Sequence, residues 1–297
     1  MKILCIGQSA YDITLPVNSY PIENQKYKIN GATTCGGGSC NNAAYLLALW
    51  GNEVYLASPI GKDDYGKRIK EELVNVGVKL DYLEELDIPT TTSYIINNLS
   101  NGSRTIITNK HQEMTLPKDK KIEGDFDVIF VDGNDYELAI EVIQKYPQAI
   151  KILDAGGFKE GTKELCSLCD YLVCSNDFLR EYAKINFRCS EIEKVKEAYD
   201  LLQKDFKGLV ITTLEEQGSL TKIDEKFYHV PSIKVNSVDT TGAGDIFHGA
   251  LTHFIIHKYP LIDAMHYANI TGALSVTKIG SKNSMPKLSE VLKYHEL

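Results

Sequence analysis

The 297-residue chain contains no apolar run near the ~18 residues that cross a membrane, so no membrane partner is expected. Nor has it a block of Lys and Arg. With a net charge of −8, a nucleic-acid ligand would need a local basic face, and none is legible. The opening stretch, MKILCIGQSAYD, reads as a strand and a turn, without the long apolar region and cleavage site of a secretory leader. Seven cysteines, an odd number in no regular framework, argue against a disulfide scaffold and fit a reducing cytosol; a cytoplasmic location is expected. Cys166, Cys169 and Cys174 cluster, but no second ligand pair accompanies them, and they read as buried thiols. Repeats, low-complexity tracts and long linkers are missing as well. What is left is an ordinary globular composition, long enough for one large α/β domain or two smaller ones.

Strand and helix patterns alternate along the chain. The runs Ile3–Ile6, Val128–Val131, Ile152–Leu153, Leu172–Cys174 and Leu209–Ile211 are short and apolar at every position, as strands buried on both faces should be. Helical spacing predicts helices over Asn42–Trp50, Tyr65–Val76, Leu138–Tyr146, Ile192–Lys204, Ile246–His257 and Ile262–Thr277. Such βα units imply a mostly parallel sheet with helices on both faces and ligands at the carboxyl ends of its strands. Two stretches break the rhythm: KYKINGATT (26–34) and TTTSYIINNLSNGSRTIITNK (90–110). Both are rich in Thr, Ile and Tyr, and NLSNGSR resembles a hairpin turn. They read as antiparallel strands of a lid, within about 12–35 and 90–110 of a single domain spanning 1–297.

The stretch SVDTTGAGDIFHGAL (237–251) sets Asp239 and Asp245 around residues with almost no side chain. Phe247, Ala250, Leu251, Phe254 and Ile255 then follow helical spacing, so a helix begins near Gly242. A helix start offers unpaired N–H groups and the positive end of the helix dipole, and Gly-Ala-Gly lets a bulky anion approach them. Asp245 can face the same space and take a proton from an attacking hydroxyl. An anion hole beside a base is what phosphoryl transfer requires. Capping alone would also place Asp in a first helical turn.

A second cluster, CGGGSCNNAAYLLALWG (35–51), again runs from glycines into a helix, with the amides of Asn41 and Asn42 in its first turn. Amides beside bare backbone suit neutral hydroxyls, although an Asn-capped helix would look the same. A dinucleotide site fits poorly, because no third glycine completes G-x-G-x-x-G and the glycines lie far from the first βαβ unit.

DTTGAGD at 239–245 and GGGSCNNAA at 36–44 resemble the two signatures of the ribokinase-like (PfkB) carbohydrate kinases. Further resemblance lies in IGQSAYD near the start, GKDDYG at 61–66, ITTLEEQGSL at 211–220 and YANITGALSVTKIGSKNSMP at 267–286. The resemblance implies a three-layer α/β/α fold with a mostly parallel central sheet and a small antiparallel β lid. It implies an ATP-dependent kinase, with Mg²⁺ bridging the phosphates, that acts on a primary hydroxyl of a small sugar or sugar acid. By position, Asp245 would be the base and the amides of Gly242, Ala243 and Gly244 the anion hole. Asp12, Gly37 and Asn41 would hold sugar hydroxyls, and Thr213, Gly218 and Asn269 would fall along the nucleotide cleft. Asp239 and Thr241, with Ser275, Gly280 and Ser284, would resemble the K⁺ site of potassium-activated members. A homodimer through the lid strands is the implied assembly.

Three features depart from the ribokinase pattern. Ser175 and Phe178 replace an Asn-x-x-Glu that organises magnesium and phosphate; Glu215 follows Thr213-Leu214 where glycine is usual; and Ala10 replaces an Asn two residues before Asp12. The chain is therefore not expected to be a ribokinase. A nucleoside kinase would want an aromatic base pocket, which Tyr11, Tyr27 or Tyr94 could line. A non-catalytic sugar-binding regulator would have no need of Asp245.

Overall fold

The computed structural model describes residues 1–158 and 161–296. In β1 (Lys2–Ile6), Ile3 and Cys5 face one core while Leu4 and Ile6 face another. The same division splits Val128 and Phe130 from Ile129 and Val131 in β9 (Val128–Val131). Two cores, one on each face of the sheet, are why these strands show no polar–apolar alternation.

The sheet has eight strands. From β1 it extends through β9, β10 (Ile150–Ala155), β11 (Tyr171–Cys174) and β12 (Leu209–Thr213) on one side, and to β4 (Glu53–Ala57) on the other, all in parallel. Two antiparallel strands, β13 (Ser219–Ile223) and β14 (Lys226–Val230), complete the far edge. One face carries α1 (Ser39–Leu49), α2 (Asp64–Asn75), α7 (Ala243–Ile256), α8 (Leu261–Ser275) and α10 (Leu288–Leu292). The other carries α3 (Tyr136–Lys145), α4 (Thr162–Leu168), α5 (Asn176–Ala183) and α6 (Ile192–Asp205). A one-turn α9 (Ser281–Ser284) packs near α1 and α8. This is the expected three-layer architecture. The six expected helices form within a few residues of their expected bounds; β4, α4, α5 and the antiparallel edge are additions.

A second sheet of four strands stands apart in the order β3 (Thr33–Gly37), β2 (Ala10–Val17), β7 (Thr92–Asn98), β8 (Ser103–Asn109). Its outer pairings are antiparallel and its central pair, β2 with β7, is parallel. The hairpin turn falls at 99–102, as the Asn-Gly pair suggests, with Gly102 at φ 71. The strand expected over 26–34 begins only at Thr33. The β2–β3 ladder ends at Thr14↔Thr33 although β2 runs on to Val17, and residues 26–32 are left unpaired and mostly exposed. Strand-like composition does not make a strand without a neighbour. A short parallel pair, β5 (Pro59–Gly61) and β6 (Glu84–Leu86), completes the elements.

All seven cysteines are free and buried, and burial pushes the Cys166 and Cys174 thiols up to about 12. Among the described residues, no group of three His, Cys, Asp or Glu could hold a metal, and no helix is long and apolar enough to cross a membrane.

Candidate active site

The carboxyl ends of the parallel strands, the starts of α1 and α7, and the inner face of the four-stranded sheet enclose a cleft of about 340 Å³. Gln8 follows β1, Asp154 ends β10, Ser175 follows β11 and Thr213 ends β12. From the second sheet, Ala10, Asp12, Ser93, Ile95, Arg104, Ile106 and Thr108 face inward. Strand alternation dictates the choice: Ile95 lies opposite Ile106 and Ser93 opposite Thr108 on the inner face, while Tyr94 and Ile107 pair on the outer one.

Helix α7 starts as expected. Gly242 takes φ 73, a left-handed conformation that favours glycine, and a Cβ there would come within 2.9 Å of Ser281. At Gly244 a Cβ would meet nothing within 4 Å, so the first turn presents bare backbone to the cleft. Asp245 lies in that turn, and Asn42 Nδ2 donates to its Oδ2 over 2.8 Å. Burial, and then the nearby Asp154 carboxylate, raise the Asp245 pKa to about 6. The carboxylate is thus ionised at neutral pH yet close enough to neutrality to exchange a proton.

Asp12 stands on the opposite wall, 6% exposed. Burial first, and Asp245 second, raise its pKa to about 7. Gly37 is what gives it room, since a Cβ there would lie 2.0 Å from Asp12 Oδ2. Asn41, grouped with these two from the sequence, is not among the residues lining the cleft. Its Nδ2 donates to Ser9 Oγ over 3.2 Å, and its Oδ1 accepts from the buried Lys282 Nζ over 2.5 Å. Neighbouring Asn42 lines the cleft in its place. Lys282 also sits 4.2 Å from the Tyr45 ring centroid, and burial lowers its pKa to about 8. Its partners come from positions 241 residues away, so no local pattern announced it.

On the other side, Thr213 lines the cleft, whereas Gly218 and Asn269 do not. Both meet the Val230 carbonyl: Asn269 Nδ2 donates to it over 2.9 Å, and a Cβ on Gly218 would lie 2.1 Å from it. Glu215 takes φ 53, where glycine is easier, and its Oε1 accepts from Asn176 Nδ2 over 2.9 Å. Phe178 is sealed in the core; the carboxylate on this wall is Asp177, which also lines the cleft and pairs with Arg180. Tyr11, Tyr27 and Tyr94 are all absent from the cleft lining. Tyr11 stacks on Tyr65 at 4.5 Å on the outer side, so these residues form no base pocket and the nucleoside alternative loses its motivation.

Asp239 is buried beside the loop that leads into α7, accepting from Thr241 N and Gly280 N, each over 2.9 Å. The hydroxyls of Ser275 and Ser284 donate to Gly272 O and Ser281 O. Thr241 Oγ1 is buried without a hydrogen-bond partner among the described residues, an orphaned oxygen of the kind a monovalent cation satisfies. The second sheet is stitched to the same loop. Arg104 Nη1 donates to Thr240 Oγ1 over 2.6 Å, and Asn97 Nδ2 to Val238 O over 3.2 Å.

The fold thus sets Asp245 at a bare helix start, in a cleft roofed by a small sheet. The model of the pfkB family carbohydrate kinases matches residues 1–288, and the chain belongs to that family. It is a phosphotransferase whose acceptor is a hydroxyl group. Ribokinase of Lactococcus lactis subsp. lactis is 26% identical over 299 residues, which cover 98% of this chain and 95% of that protein. Deoxyribokinase of Salmonella typhi is 25% identical over 309 residues, covering 100% and 99%. The solved structure of Arabidopsis thaliana ribokinase complexed with ribose and ATP superposes with a TM-score of 0.83 at 24% identity, covering 100% and 98%.

Proposed function

We propose that the enzyme transfers the γ-phosphoryl group of ATP to a primary hydroxyl of a small sugar or sugar acid. The observation that carries this reading is the juxtaposition of Asp245 with the first-turn amides of α7 in one cleft. Asp245 takes the proton of the attacking hydroxyl, held in line by Asn42. The Gly242, Ala243 and Gly244 amides receive the negative charge of the migrating group. Asp12 orients the sugar by accepting from its hydroxyls, and Gly37 leaves space for that carboxylate. Asn41 acts indirectly, since its side chain is engaged by Ser9 and Lys282.

Thr213 and the β12–β13 turn flank the nucleotide, where Glu215, held by Asn176, stands in for bare backbone. Mg²⁺ neutralises phosphate charge when bound; its donor set here would be the phosphates, water and Asp177. A K⁺ ion would sit among Asp239, Thr241, Ser275, Gly280 and Ser284 and stiffen the anion-hole loop. The four-stranded sheet closes over the sugar and excludes water. Its outer face, with Tyr94 at 41% and Ile107 at 57% exposure, would pair two copies into a homodimer.

The test is a panel of sugars, sugar acids and nucleosides assayed for ADP release. Turnover with one sugar or sugar acid, lost in Asp245→Asn, is expected. A nucleoside as the best substrate, or no turnover with any acceptor, would overturn the reading.

A further inference from the structure

His248 lies one helical turn beyond Asp245 on α7, and both line the cleft with Asp154. Its imidazole is 3% exposed, and Nδ1 lies 2.8 Å from Oδ2 of Asp154, itself 2% exposed at the end of β10. The contact is an ion-pair approach and not an aligned hydrogen bond: Nδ1, Nε2 and Asp154 Oδ2 are all buried with no hydrogen-bond partner among the described residues. A buried histidine kept only for packing is ordinarily neutral with its polar atoms satisfied. Here it is matched instead with a buried carboxylate.

Charge balance gives the reason. Asp12, Asp154, Asp177 and Asp245 bring four carboxylates to the walls of one cleft; Asp12 and Asp154 are buried, Asp245 is half-buried and Asp177 is exposed. Buried like charges cannot all ionise without cations beside them. The groups packed around Asp245 and His248 can be named element by element. β10 contributes Asp154, β2 contributes Asp12 and β8 contributes Arg104. α1 contributes the neutral Asn42 and no charged side chain. α8 passes this end of α7 with Gly272, in its uncharged stretch 269–275, while Lys282 on α9 faces Asp12 and Asn41. Arg104 is exposed and bonded to Thr240, so its charge is shared with water. His248 is the buried titratable nitrogen base nearest Asp245 along the chain.

We propose that His248, clasped by Asp154, is a positioning residue that holds Asp245 as a carboxylate. This inference rests on the reading of Asp245 as the base, but the ion pair and its effect on Asp245 can be measured without turnover. The Asp154 and Asp245 carboxylates both favour the protonated ring, against the burial that disfavours it, and the balance lies upward from the ordinary histidine value. In return the imidazolium lowers the pKa of Asp245.

The experiment is NMR titration of the folded enzyme, with the carboxyl ¹³C resonance of Asp245 assigned through Asp245→Asn and the His248 ring followed by ¹⁵N shifts. In the parent, the His248 ring should titrate above the ordinary histidine range. In His248→Asn, the Asp245 titration should move up by about one pH unit, a tenfold change in its ionisation ratio. Where a substrate is in hand, the acid limb of kcat/KM should move with it, and activity should recover at alkaline pH. A uniform loss at every pH is what a merely structural role would produce. Should His248→Asn not fold, Asp154→Asn in its place should lower the His248 titration. A parent His248 that titrates at or below the ordinary histidine value, or an Asp245 titration unmoved by the substitution, would overturn the proposal. Absence of any kinase substrate would bear on the proposed reaction and not on this pair.

Discussion

Asn42 and Asp245 are 203 residues apart in sequence and 2.8 Å apart in space, the amide donating to the carboxylate. The start of α1 thus holds the Asp245 carboxylate at the start of α7. Replacing Asp245 by Asn should lower turnover by roughly 10²–10⁴ and leave ATP affinity nearly unchanged. In Asn42→Ala the base remains but loses its donor, so turnover should fall by about tenfold and the acid limb should rise. Steady-state kinetics against pH, with calorimetric ATP titration, checks both. Near-normal turnover in Asp245→Asn would remove it as the base.

A side chain at position 37 and Asp12 compete for one space, since a Cβ would fall 2.0 Å from Oδ2. Gly37→Ala should therefore weaken sugar binding by displacing Asp12 and cost about 1–3 kcal/mol of stability. In an Asp12→Ala background the same change should be nearly silent. A double-mutant cycle by urea denaturation and sugar titration measures the coupling. Additive effects would mean that Asp12 does not occupy the space Gly37 leaves.

Asp12 also predicts a pH dependence of folding. Burial, and then the Asp245 charge, raise its pKa from the ordinary 3.8 to about 7 in the folded chain, so the folded state holds a proton that the unfolded state has released. Stability should then fall as pH rises from about 4 to about 7 and level off above. Asp245, at about 6, adds the same sign. Asp12→Asn should flatten the slope and gain up to a few kcal/mol at alkaline pH. Denaturant midpoints across this range provide the check; a parent that grows steadily more stable from pH 4 to 7 contradicts it.

If a monovalent cation satisfies the orphaned Thr241 hydroxyl beside Asp239, K⁺ should raise activity over a bulky organic cation. Asp239→Ala should abolish the difference and also destabilise the loop, because two backbone amides lose their acceptor. Rates in both salts, before and after substitution, decide it. Equal rates in the parent would exclude the ion.

The four-stranded sheet should protect its amides more strongly when sugar is bound. Hydrogen exchange over 92–109 is expected to slow by at least several-fold at saturating substrate. Arg104→Ala should blunt that response, since Arg104 ties β8 to Thr240 of the anion-hole loop. Unchanged protection would make these strands scaffold.

Much of this was legible from spacing. Runs such as Val128–Val131 had to be doubly buried strands because no residue in them is polar, and the structure covers both faces. Gly242 and Asp245 announced a helix start because helix termini have their own local chemistry. The segment 26–34 misled, because its composition suits a strand but pairing depends on where another strand runs. Adjacent asparagines were likewise indistinguishable by type: helix geometry sends Asn42 to Asp245 and Asn41 to Ser9 and Lys282.

The order of apolar runs, helical periods and glycine turns by itself determined the α/β class, the layering and the helix start that carries the base. These are local or periodic properties, and periodicity is written residue by residue. Only the tertiary structure decided which polar groups meet. The buried Lys282 at Asn41, Gly37 yielding to Asp12, and Asp154 clasping His248 all join positions far apart in the chain. Each is enforced by the desolvation penalty of an unpaired buried group, which acts only once the elements have packed.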